Sequence, residues 1–302
     1  MPRFLLFAGL ALLLACNNSV PEFDGQRSFA YLEKQVAFGP RVPGSEAQKA
    51  CAEWLVDELG QYADRVVVQS FNHKDKHSGR MIPMKNIIAS FNNKPRLKRI
   101  MLAAHWDSRP RADQDKLENQ HKPIPGANDG ASGVAVLLEI ARALKKQPLS
   151  YGVDIVLFDG EDYGREGELD EYFIGARYFA ENIGKYRPQY GILLDMVGDA
   201  QLSLPVEYNS VRAAPHVVKK VWDTAERLGY TAFEKRMGPA ISDDHIPMIE
   251  AGIPFIDIID FAYPDQGHAY WHTLQDTPDK CSPQSLKTVG QVLLHVLYEE
   301  EQ

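Results

Sequence analysis

Apolar runs alternating with amphipathic helices constrain this chain more than any other feature. "RIMLAAH" (Arg99 to His105), "VDIVLFDGEDYG" (Val153 to Gly164), "YGILLDMVGD" (Tyr190 to Asp199) and "IPFIDIID" (Ile253 to Asp260) each read as a buried strand. "RVVVQSF" (Arg65 to Phe71) and "NIIASF" (Asn86 to Phe91) add two more. The helical spacing predicts helices over Ser45 to Tyr62, Ser132 to Gln147, "EYFIGARYFAEN", Ala214 to Gly229 and Pro283 to Glu300. Such alternation argues for one α/β domain with a mixed, mostly parallel central sheet covered by helices on both faces. A length of 302 residues, 44% of them hydrophobic, is enough for one sizeable core.

The N-terminus is read as a processing signal. Arg3 precedes an apolar stretch from Phe4 to Leu14, too short to span a bilayer and of the length of a signal-peptide core. It closes on "LLAC", which resembles a bacterial lipobox with Cys16 as the acylated first residue of the mature protein; a plain secretory signal is the alternative. On the lipobox reading, residues 1–16 are a lipoprotein signal, 17–27 a tether and 28–302 a single domain. The protein is then an exported lipoprotein on the periplasmic side of a bacterial membrane, and a monomer by default. Cys51 and Cys281 remain, with pairing left open. A formal net charge of −8 without a Lys/Arg run argues against a nucleic-acid partner.

Ligands of α/β sheets bind beyond the carboxyl ends of the strands, and chemistry-bearing residues collect there. The strand ending at Ala104 runs into His105. A long polar loop, Trp106 to Asn128, leads to Asp129 ahead of a helix. Glu161 and Asp162 follow the next strand, and Asp195 lies in the one after. Asp243 precedes the last strand, and Trp271 and His272 follow it. Imidazole and carboxylate are the usual ligands of a catalytic zinc, typically three with one position open. Asp129, Asp162 and His272 would meet at one rim, leaving Glu161 as a general base or acid. Each residue alone also has a structural reading: Asp129 as a first-turn acid, His272 as a hydrogen-bonded histidine, the acid pair as a solvated loop. Asp195 is the exception, because an acid inside an apolar strand is costly unless paired or coordinated.

"FGPRVPGS", "HWDSRP", "NDGASG", "FDGEDYG", "LLDMVGD", "SDDHIP" and "YWHT" occur in the order seen in the zinc-dependent glutaminyl-peptide cyclotransferases, and the chain resembles the bacterial members of the animal-type group. The resemblance implies a zinc exopeptidase-like fold and one zinc held by Asp129, Asp162 and His272. It implies Glu161 as the catalytic acid/base, Asp195 and Asp243 as acids near the substrate's amine and carboxamide, and Trp271 as a pocket wall. The substrate would be a peptide or protein with N-terminal glutamine. Most animal members carry Glu at the position of Asp162, and a second pocket Trp is not evident in "REGELDEYF", where Tyr172 and Phe173 are the candidates to replace it. The related di-zinc aminopeptidases share the fold; there Asp129 would bridge two metals and His105 and Asp195 would complete the second site. In a cyclase His105 would instead lie beside the substrate. A catalytically dead binding module is the third reading, disfavoured because every ligand and proton-transfer position carries a usable side chain.

Overall fold

The computed structural model describes residues 19–300. In chain order it contains α1 (Gly25–Val36), α2 (Glu46–Gly60), β1 (Arg65–Lys74), β2 (Met81–Phe91), β3 (Arg99–His105), α3 (Ala131–Lys146), β4 (Gly152–Phe158), α4 (Ile174–Glu181) and β5 (Tyr190–Asp195). There follow β6 (Leu204–Val206), α5 (Tyr208–Ala213), α6 (Pro215–Leu228), β7 (Phe233–Met237), α7 (His245–Glu250), β8 (Phe255–Ile259) and α8 (Pro283–Glu299). Six strands form one sheet in the order β1-β2-β4-β3-β5-β8. The β4-β3-β5-β8 half is parallel, and the β1-β2 hairpin joins it antiparallel through β4. The expected mixed α/β architecture is borne out.

The two-residue period of the strands sorts the core. Ile100, Leu102 and Ala104 of β3, Ile155 and Leu157 of β4, and Ile192 and Leu194 of β5 pack with α1, α2, α3, α6 and α8 on one face. Met101, Ala103, Val156, Phe158 and Leu193 face α4 and α7 on the other. Because both faces are covered, all seven residues of β4 are buried, which accounts for the apolar run Ile155 to Phe158; the one acid of the strand, Asp154, is paired with Arg99. β6 and β7 form a small separate parallel pair. Among the described residues no helix is long and apolar enough to cross a membrane.

Two boundaries differ from expectation. Part of the expected tether is packed on the domain: Asp24 caps α1 by accepting from the Arg27 N–H, and Phe23 is buried with its N–H on the Gln291 side chain. The boundary at residue 28 therefore falls inside a helix, and the ordered domain begins before it. The helix expected from Glu171 starts only at Ile174, because Leu169–Glu171 is a 3₁₀ turn and Phe173 adopts a left-handed φ of 56°. Cys16 and the expected signal lie outside the described residues. Cys51 and Cys281 are both buried free thiols.

Candidate active site

The carboxyl ends of β3, β4 and β5 open onto one rim, and each site residue is held there by its backbone. After β4 the chain turns at Gly160 (φ 72°), and the N–H groups of Glu161 and Asp162 donate to the two oxygens of Asp107, at 3.2 and 3.3 Å. The Phe173 N–H closes the turn onto the Glu161 carbonyl at 3.0 Å. Asp129 stands at the start of α3. A Cβ on Gly130 (φ 100°) would lie 2.2 Å from the Asp107 carbonyl oxygen, so only glycine lets the helix begin here. Asp276 accepts the N–H groups of Asn128 and Asp129 at 2.8 and 3.1 Å, and the hydroxyl of Tyr263 at 3.0 Å. Buried Arg41, from "FGPRVPGS", donates to the carbonyls of Pro125 and Gly126 and pins the same loop.

This framework brings the sequence-chosen residues together. Asp129, Asp162 and His272 are buried and present ligand atoms within 4.8 Å of one another. His272 Nε2 lies 3.3 Å from Asp162 Oδ1 and 3.6 Å from Asp129 Oδ2. His105, Asp129 and Asp195 form a second such group, with His105 Nε2 3.2 Å from Asp129 Oδ1 and 3.1 Å from Asp195 Oδ1. Asp129 belongs to both. Glu161 belongs to neither, yet it lines the same cleft of about 660 Å³ with Asp195, Asp243, Phe261, Trp271 and Tyr172. The imidazole–carboxylate donor set suits zinc. So does the orphaned Asp162 Oδ2, a buried oxygen with no hydrogen-bond partner among the described residues.

Trp271 stacks on the His272 ring with centroids 3.8 Å apart and an interplanar angle of 24°, and meets Phe261 edge-on at 5.2 Å. It therefore both walls the cleft and fixes the imidazole plane. Tyr172 and Phe173 supply further aromatic lining, Tyr172 with its hydroxyl held by Arg109 at 2.8 Å.

Electrostatics divides the acids into roles. Burial, reinforced by neighbouring Asp162, pushes the Glu161 carboxyl well above the usual range, which suits a group that must hold and release a proton near neutrality. Burial and the charge of Asp195 do the same to Asp243. Burial opposes ionisation of Asp162 as well, but His272 and the Arg109 guanidinium hold it below the usual range, as a ligand requires.

Several residues that hold the site are given no role by sequence reasoning, although most of them lie in stretches it marks. Asp107, Asp276 and Arg41 orient the loops, and Asp107 Oδ1 also lies 3.5 Å from His105 Nδ1. Asp243, His245 and Asp257 form a third group of buried ligand-type atoms behind the cleft, with His245 Nε2 3.5 Å from Glu207 Oε2. Asp257 lies inside the apolar run "FIDII", the same signal that marked Asp195, and that signal would have found it.

The model of peptidase family M28 matches residues 86–297. The chain belongs to peptidase family M28. Among solved structures, this M28 chain is similar to the glutaminyl cyclase of Tannerella forsythia (42% identity, TM-score 0.87, covering 92% of this chain and 99% of that one). It is likewise similar to a Zn-dependent exopeptidase of Parabacteroides distasonis (40%, TM-score 0.88, 93% and 99%). Among characterised sequences, bovine glutaminyl-peptide cyclotransferase is 25% identical over 84% of this chain and 76% of its own length. An aminopeptidase of Bacillus subtilis is 27% identical over 66% of this chain, and the match spans only 40% of that enzyme. The expected kinship with glutaminyl cyclases is thus borne out, and zinc is the ion these similarities imply for the ligand groups.

Proposed function

We propose that this M28 enzyme is a glutaminyl-peptide cyclotransferase that converts N-terminal glutamine to pyroglutamate with release of ammonia, using one zinc ion held by Asp129, Asp162 and His272. The observation that carries the reading is Glu161: a buried carboxyl with a raised pKa, outside both ligand groups, sharing a cleft with Asp195 and Asp243. Solved glutaminyl cyclases that match nearly end to end support it.

Zinc, when bound, supplies Lewis-acid polarisation of the γ-carboxamide. The remaining work falls to this chain's residues. Trp271 and the aromatic lining enclose the glutamine side chain and fold it so that the α-amine approaches the γ-carbon, the near-attack geometry from which an intramolecular ring closure gains most. Asp195 and Asp243 hold the amine and the leaving nitrogen. Glu161 takes a proton from the amine as the new N–C bond forms. It then delivers that proton to the amide nitrogen as the old C–N bond breaks and ammonia leaves. With only the glutamine side chain enclosed, substrate position two would face solvent, and sequence selectivity there should be loose.

One specific observation favours a second reading. His105, Asp129 and Asp195 complete a second ligand group, so a di-zinc aminopeptidase is the alternative. Elemental analysis separates the two: one zinc per chain, lost in Asp162→Ala and His272→Ala, supports the cyclase. Two zincs, with free amino acids released, would overturn it. The proposal extends to an envelope lipoprotein anchored through Cys16 and to a monomer. Palmitate labelling that survived Cys16→Ser, or a dimer mass in solution, would contradict these parts.

A further inference from the structure

The long loop between β3 and α3 carries a buried cation that the reaction does not use. Arg109 is 1% exposed, and all five of its N–H donors find acceptors. Nη1 donates to the Asp162 carboxylate at 2.7 Å and to the Asp162 carbonyl at 3.2 Å. Nε donates to Asp113 Oδ1 at 2.8 Å, while Nη2 takes the second Asp113 oxygen and the Tyr172 hydroxyl. Asp113 Oδ1 in turn lies 3.6 Å from His272 Nδ1, the ring nitrogen opposite the one that faces Asp129 and Asp162. The same loop is stitched along the His272 segment, with the Gln114 N–H on the His272 carbonyl and the Leu274 N–H on the Asp115 carboxylate.

We infer that Arg109 and Asp113 are positioning residues that set the orientation of two zinc ligands, Asp162 and His272, before the ion arrives. The inference rests on the proposed zinc site. Arg109 grips Asp162 at both its carbonyl and its carboxylate, which fixes the side-chain torsions. The Asp113 carboxylate, itself locked by the guanidinium fork, stands 3.6 Å from His272 Nδ1, and its negative charge favours a proton on that nitrogen, leaving Nε2 free to ligate. The fork geometry is essential: a lysine keeps the charge but cannot hold both carboxylates along fixed directions. The length and polarity of the Trp106 to Asn128 loop thereby acquire a purpose, since it delivers the brace to ligands on two other segments.

The test is zinc affinity, measured by competition with a chromogenic chelator, for wild type, Arg109→Lys and Asp113→Asn. Alongside it go the melting temperature of chelator-treated protein and kcat at saturating zinc. Partners that orient metal ligands cost about 10–100-fold in metal affinity when lost, and that is the weakening expected in each variant. The chelator-treated melting temperature should stay close to wild type, and saturating zinc should restore most of kcat. Affinity unchanged in both variants, with the melting temperature alone reduced, would overturn the brace. A wild-type protein that binds no zinc would overturn the zinc site and the brace together.

Discussion

Glu161→Gln separates proton transfer from architecture. The backbone at this position is pinned on both sides, by Asp107 Oδ1 on its N–H at 3.2 Å and by the Phe173 N–H on its carbonyl at 3.0 Å. The side chain belongs to no ligand group, so an amide of the same shape should leave zinc content unchanged. Losing a general acid/base costs about 10²–10⁴ in rate, which is about 2.7–5.5 kcal/mol of transition-state stabilisation. Stability should move the other way. Burial and Asp162 raise this carboxyl well above 4.5, so the folded protein binds the proton more tightly than the unfolded chain does. The group therefore favours folding at low pH, and that contribution is lost as pH rises through the folded pKa. At pH 8 an uncharged amide should leave the chelator-treated protein as stable as wild type or more so. The assay is kcat/KM on a Gln-initiated peptide, paired with calorimetric melting and zinc analysis. Activity within about tenfold of wild type would refute the acid/base role. A clearly lowered melting temperature would refute the electrostatic argument.

Further expectations concern the frame around the site. Gly130→Ala places a Cβ 2.2 Å from the Asp107 carbonyl in a left-handed conformation that costs alanine about 1–2 kcal/mol before any clash. It should lower the melting temperature and weaken zinc binding together, and a normal zinc affinity would contradict it. Trp271→Ala should still fill with zinc when zinc is saturating but bind it more weakly, because the His272 ring is freed, and should lose about tenfold or more in kcat/KM from the missing wall, as chelator competition and kinetics would show. Burial pushes Glu207 up, but His245 and the N–H groups of Asn209 and Ile241 bring it down to about 2. Its stabilisation is present above 4.5 and fades as pH falls toward 2. Glu207→Gln should therefore be less stable than wild type at pH 7, with the gap closing across that acid window in denaturant titrations.

The sheet and the rim were legible because both rest on strong local signals. Unbroken apolar runs such as "IVLF" exist only where a strand is covered on both faces, and the chemistry follows their ends. Asp195 is marked as an acid in an apolar strand, and Asp257 carries the same mark in "FIDII". The residues that hold the site were harder to see. Arg41, Arg109 and Asp113 sit in polar loops where a buried charge looks like a solvated one. Their partners lie far off in sequence: Arg41 reaches Gly126, and Arg109 reaches Asp162. The start of α1 was hidden for a similar reason, since Phe23 is buried against Gly290 and Gln291 of the last helix, a contact that no local pattern encodes.

The central claim is tested most directly by incubating the zinc-loaded enzyme with a Gln-initiated and a Leu-initiated peptide together and reading both by mass spectrometry. The account predicts that the Gln peptide loses one ammonia and keeps every residue, while the Leu peptide stays intact. Loss of whole N-terminal residues from either peptide would contradict it and move His105 and Asp195 into the ligand set of a two-metal aminopeptidase.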